Sequence, residues 1–74
     1  MITGGSLEIV PEGWGLLRFL ADEAGQHRVY VAPSQITEHS LQAGDLVTGL
    51  ARPPKETEQY HSLVSIETVN GKAL

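Results

Sequence analysis

Glycine and proline recur along this chain at intervals too short for long helices: Gly4-Gly5, Pro11, Gly13, Gly15, Gly25, Pro33, Gly44, Gly49, Pro53-Pro54 and Gly71. Short stretches lie between them, several with alternating apolar and polar residues. Alternation gives a strand one buried and one open face, and the breakers mark its ends. The pattern predicts strands over residues 6–10, 15–19, 28–32, 46–51 and about 60–69. The last is irregular, with Leu63, Val64, Ile66 and Val69, which predicts a bulge. The one helical candidate is residues 33–38, where Pro33 suits a first helical position.

Five strands with a short helical turn between the third and fourth predict an all-β fold, an OB-fold or cold-shock-like barrel. Closure also removes the strand edges that invite aggregation. The strand pattern alone also allows a small barrel of the SH3 kind. The chain has 74 residues, one small domain. A chain of this size buries only about 60% of its unfolded surface, so its stability is modest. It has no cysteine, hence no disulfide framework and no thiolate metal site. No apolar run approaches the length of a membrane span, and residues 1–5 carry no signal-like segment. These features predict a cytoplasmic, soluble chain.

The face assignment is the strongest functional clue. Side chains alternate across a strand. Trp14, Leu16 and Arg18 therefore share one face of the second strand, and Leu17 and Phe19 share the other. Arg28 and Tyr30 share a face of the third strand, opposed by Val29 and Val31. Side by side, the two strands offer a Trp, a Tyr and two Arg on an open surface. Flat rings stack unpaired bases, and guanidinium groups meet base edges and phosphates. Simpler roles compete: Trp14 as a half-buried barrel residue, Tyr30 and Tyr60 as cross-strand partners, Leu16 as a tolerated exposed apolar side chain. Arg28 has Asp22 and Glu23 in the preceding loop as alternative partners.

The net charge of −4 argues against strong non-specific binding to nucleic acid, which depends on phosphate neutralisation. Arg18, Arg28, Arg52 and Lys55 nevertheless lie in or beside the segments above, while most acids fall in connecting stretches. Catalytic chemistry is not written here. His27, His39 and His61 lack zinc-ligand spacing. Gly13-x-Gly15 lacks the third glycine of a dinucleotide fingerprint, and Gly71-Lys72 lacks the rest of a phosphate loop. The expectation is a binding domain with no catalytic residue, metal or cofactor.

A resemblance sharpens this. Leu7-Glu8-Ile9, Gly13-Trp14-Gly15-Leu16-Leu17-Arg18, Val29-Tyr30-Val31-Ala32-Pro33-Ser34-Gln35-Ile36, Gly44-Asp45, Gly49 and Arg52-Pro53-Pro54-Lys55-Glu56 with Tyr60 occur in a fixed order. Together they resemble the RNA-binding, cold-shock-like domain of the bacterial transcription termination factor Rho. The resemblance covers nearly the whole chain. It implies a flexible N-terminus at residues 1–4, an RNA-binding OB domain at 5–70 and a C-terminal tail at 71–74. It implies a primary site for a pyrimidine dinucleotide of single-stranded RNA.

By position, Trp14 matches a family aromatic and Arg18 the family's base-contacting arginine. Tyr30, Glu58 and Tyr60 match residues enclosing the first base, and Lys55 a basic residue near the sugar-phosphate chain. Two positions depart: Leu16 stands where the family has a stacking Phe, and Arg28 where it has an Asp that accepts from the cytosine amino group. The departures imply a weaker cytosine preference at the second base, with Glu58 left to favour cytosine at the first. The resemblance also implies a whole factor that is a homohexameric, RNA-dependent ATPase. The chain itself carries no ATPase motif, so it reads as an excised domain or a stand-alone relative, monomeric in isolation. The alternative is a domain that has kept the fold, lost most RNA affinity and serves as a protein-interaction module.

Overall fold

The computed structural model describes residues 2–18 and 28–73. The predicted loop at 20–27, the face of Phe19 and the pairing of Arg28 with Asp22 or Glu23 lie outside the described residues. Within them the elements are β1 (Ile2–Ile9), β2 (Gly15–Arg18), β3 (Arg28–Val31), α1 (Pro33–Glu38), β4 (Leu46–Arg52), β5 (His61–Val69) and β6 (Lys72–Ala73). The strands lie in the order β3-β2-β1-β4-β5-β6, and β3 also pairs with β5. That last pairing is parallel and short, Val29 opposite His61 and Tyr30 opposite Ser62. It closes the first five strands into a barrel. With one short helix between β3 and β4 this is the OB-fold, and the SH3-like alternative falls away.

The alternation predicted from sequence sets the core. Val29 and Val31 of β3 and Val47 and Ala51 of β4 point inward, joined by Leu7, Leu17, Leu41 and Leu63. Ile36 of α1 packs on this cluster, as do Ile66 and Val69. The helix begins at Ala32, whose side chain offers no cap. Gln35 supplies one: its Oε1 accepts the Ala32 N–H at 3.0 Å, and its Nε2 donates to the Leu63 carbonyl at 3.0 Å. One amide side chain thus starts the helix and ties it to β5.

Three differences from the sequence reading have physical causes. β1 begins at Ile2, not at residue 6, because residues 2–6 pair with β4 from Ile2–Leu50 to Ser6–Leu46. Gly4-Gly5 hides that half of the strand, since glycine carries no side chain to alternate. Residues 71–74 are not simply a tail: Lys72–Ala73 returns along β5, with Val69 opposite Lys72. Asn70 (φ 53°) and Gly71 (φ 81°) form the two-residue turn between them, as Asn-Gly favours in hairpins. In β5 the predicted bulge is present, and there are two irregularities. Register shifts fall between Thr48 and Gly49 and between Leu50 and Ala51, the second leaving Val64 as the extra residue.

One core residue is out of place chemically. Thr3 is only 4% exposed, and its Oγ1 has no hydrogen-bond partner among the described residues. An unsatisfied buried hydroxyl is destabilising, and valine has nearly the same shape without it. Thr3→Val is therefore expected to stabilise the barrel by about 1 kcal/mol, a rise in Tm of roughly 4–8 °C for a domain of this size. Thermal denaturation followed by circular dichroism checks this, and a lower Tm would mean that the hydroxyl is satisfied in solution.

Candidate nucleic-acid interface

The outer face of β2 and β3 carries the residues that the alternation assigned to it. Leu16 lies directly opposite Tyr30, and Arg18 directly opposite Arg28. Trp14, just before β2, brings its ring centroid to 5.6 Å from that of Tyr30, with the planes tilted by 39°. That is a favourable aromatic pairing. Both rings are half-buried, so neither is a pure core residue nor fully free.

Tyr30 faces a second wall. The parallel seam sets β3 beside the start of β5, and an open cleft of about 320 Å³ forms there, lined by Tyr30, Glu58, Gln59, Tyr60 and Ser62. Small-molecule sites run from about 300 to 1,000 Å³, so this is a small one. Three residues expected to enclose a base, Tyr30, Glu58 and Tyr60, come together in it. Gln59 and Ser62 were not foreseen; their place in the wall comes from the seam, which no local pattern encodes.

Leu16 corrects the sequence reading. Alternation alone leaves it open beside Trp14 and Arg18, yet it is 5% exposed, though not part of the main core cluster. Directly opposed residues hold their Cβ atoms about 4.5–5.5 Å apart, so the Tyr30 ring shades it. Leu16 thus offers little surface of its own to a ligand.

The basic residues are partly engaged. Arg18 donates from Nη1 to Glu8 Oε1 at 2.7 Å, across the β1–β2 pair. Both side chains are about half exposed, so solvent screens the pair and a phosphate can compete for the guanidinium. Arg28 shares its face with Arg18, and two like charges in register favour an anion or a carbonyl-rich group between them. Lys55 lies exposed on the loop that leads to the cleft.

Arg52 and Glu58 form a bidentate ion pair. Arg52 Nη1 and Nη2 donate to Glu58 Oε1 and Oε2 at 2.7 and 3.0 Å. Glu58 Oε1 also accepts the Lys55 N–H at 2.9 Å. The hydrogen bonds from Arg52, then that from the Lys55 backbone, hold the Glu58 carboxyl down at about 2. Its folded value lies below its unfolded one. Pairing therefore favours the fold above about pH 4.5 and is lost as pH falls toward 2. Arg52 stands in the Arg-Pro-Pro-Lys run but was not singled out as a site residue. A partner six positions away, beyond two prolines, leaves no periodic signal.

A five-stranded OB barrel with an aromatic and basic outer face and a cleft at its seam belongs among the OB domains. Sequence comparison narrows this. Residues 3–74 match the family model described as Rho termination factor, RNA-binding domain. The chain is 48% identical over 69 residues to transcription termination factor Rho of Haemophilus influenzae, covering 90% of this chain and 16% of that protein. It is likewise 48% identical over 69 residues to Rho of Aquifex aeolicus, with the same coverage. Against Rho of Thermotoga maritima the identity is 43% over 68 residues, covering 89% of this chain and 16% of that protein. The chain belongs to the family of Rho termination factor RNA-binding domains. It spans about 16% of the length of these relatives. Among the described residues no helix is long and apolar enough to cross a membrane.

Proposed function

We propose that this chain binds single-stranded, pyrimidine-containing RNA, as the primary-site domain of a Rho-type transcription termination factor. The observation that carries the reading is the cleft between Tyr30 and Tyr60, flanked by Trp14 and by the Arg18–Arg28 pair. Two phenol rings lining one cleft suit a flat base, and a duplex cannot present one without unstacking. The proposed site comprises Trp14, Arg18, Arg28, Tyr30, Lys55, Glu58 and Tyr60, with Leu16 beneath. In this reading the isolated domain is a monomer, and a full-length factor built on it is a homohexamer. An intact cleft weighs against the protein-interaction alternative, since a domain freed from RNA binding has no need to keep two tyrosines in an open cleft.

Trp14 beside Tyr30 supplies the test. Its fluorescence is expected to change saturably on titration with oligo(C) or oligo(U), less with oligo(A), and not with a blunt duplex of equal length. With few cations available, about two or three counterions should be released, giving a log–log salt slope near −2 or shallower. A slope steeper than about −4 would require a basic surface this domain lacks. Equal binding of duplex and single strand would defeat the proposal.

A further inference from the structure

We infer that Arg52 is a positioning residue for the cleft: it braces the 53–60 loop through Glu58, and in doing so it occupies the carboxylate that would otherwise distinguish cytosine from uracil. The inference rests on the RNA-binding reading above. Arg52 ends β4, and Pro53-Pro54 open the loop that follows. Arg52 spans that loop. Fork-to-fork bonds join Arg52 to Glu58, and Arg52 Nη1 also reaches the Pro53 carbonyl at 3.2 Å. Lys55 and Glu58 are tied twice, by the Lys55 N–H to the carboxylate and by the Glu58 N–H to the Lys55 carbonyl, each at 2.9 Å. The next residues, Gln59 and Tyr60, are a wall of the cleft. The brace therefore sets where that wall stands. Arg52 itself does not line the cleft; Glu58 does.

The chemical consequence concerns base choice. Cytosine carries an amino donor where uracil carries a carbonyl acceptor. A free carboxylate would accept from the first and repel the second. The Glu58 carboxylate already takes three donors, out of about four lone-pair sites. Its charge faces a guanidinium in the strongest pairing geometry available to the two groups. Glu8, a carboxylate on β1 beside this face, is likewise bonded to an arginine, Arg18. The cleft is left to select by ring size between Tyr30 and Tyr60, taking cytosine and uracil alike.

The test uses the parent and three variants, each first checked for folding by circular dichroism. Affinities for oligo(C) and oligo(U) of equal length are measured by calorimetry at several salt concentrations. The parent should bind the two within about threefold. Arg52→Met frees Glu58: it should weaken oligo(U) about tenfold or more and oligo(C) less, so that the ratio moves toward cytosine by at least about threefold. Replacing both residues by Met keeps the net charge. It should weaken both oligomers alike, leave the salt slope unchanged and speed exchange of the Lys55 amide proton. Arg52→Lys keeps the charge but not the fork, and should fall between the parent and Arg52→Met. Parent-like affinity in both Met variants overturns the inference. So does a slope shallower by about 0.7 in the double variant, which would make Arg52 a phosphate contact, or a fully parent-like Arg52→Lys. A parent with a strong cytosine preference at the cleft also overturns it. A parent that binds no single strand brings down the RNA-binding reading and this inference together, whereas RNA binding that is indifferent to Arg52 removes only the inference.

Discussion

Tyr30→Ala and Tyr60→Ala each weaken RNA binding about tenfold or more while the barrel stays folded. Stacking of one base on an aromatic ring is worth about 1–3 kcal/mol, and both tyrosines line one small cleft. Each tyrosine is only half-buried, so its loss opens little of the core. The two substitutions should differ in one respect. Tyr30 also meets the Trp14 ring at 5.6 Å and shades Leu16, so its removal should lower Tm slightly more than loss of Tyr60. Phenylalanine at either position keeps the stacking surface and should retain most of the affinity. Affinity measurements with a short pyrimidine oligomer, paired with thermal melts, check all four variants. Folded alanine variants that bind like the parent would remove the cleft as the binding site.

Gly49→Ala, by contrast, should cripple the fold. Gly49 points inward from β4 at the first register shift, opposite Ile66. A Cβ placed there would overlap the Ser65 carbonyl oxygen and come within 3.0 Å of the Ser65 carbonyl carbon and 3.1 Å of the Ile66 Cα. These are backbone atoms of the neighbouring strand, so no rotamer change relieves the clash. β4 is held between β1 and β5 and cannot back away without opening one ladder. The expected cost is about 3 kcal/mol or more, a large share of the roughly 5–15 kcal/mol that a native domain has. A fall in Tm of roughly 12 °C or more should result. A melt within a few degrees of the parent would mean that the bulge simply shifts by one residue.

Much of the barrel was legible because its strands obey the two-residue period. Val29 and Val31 against Arg28 and Tyr30 read correctly from local alternation. What escaped depends on partners distant in sequence. The first half of β1 is a strand because β4 lies beside it, and Gly4-Gly5 gave no local sign of that. The Asn70-Gly71 turn was legible in principle: Asn-Gly between Val69 and Lys72 is a hairpin signal, concealed only by the shortness of β6. Leu16 was placed on the right face and given the wrong exposure, because alternation says where a side chain points and not what stands next to it. At the interface, the tyrosines were found through face assignment and resemblance together. The Arg52–Glu58 brace was not, since its two ends are joined by a loop whose path no periodicity describes.

The parallel seam has a consequence for how recognition and folding are coupled. Among the described residues two pairs close the barrel there, and they join segments some thirty positions apart. The cleft lies across that junction, one wall from each side. An open barrel therefore lacks the complete cleft, and a base seated between its walls would act as a clasp on a short, non-local join. By mass action, a ligand that engages only the closed form adds its own binding free energy to the closure. In the proposed reading a bound single strand would fasten this short seam as well as occupy it.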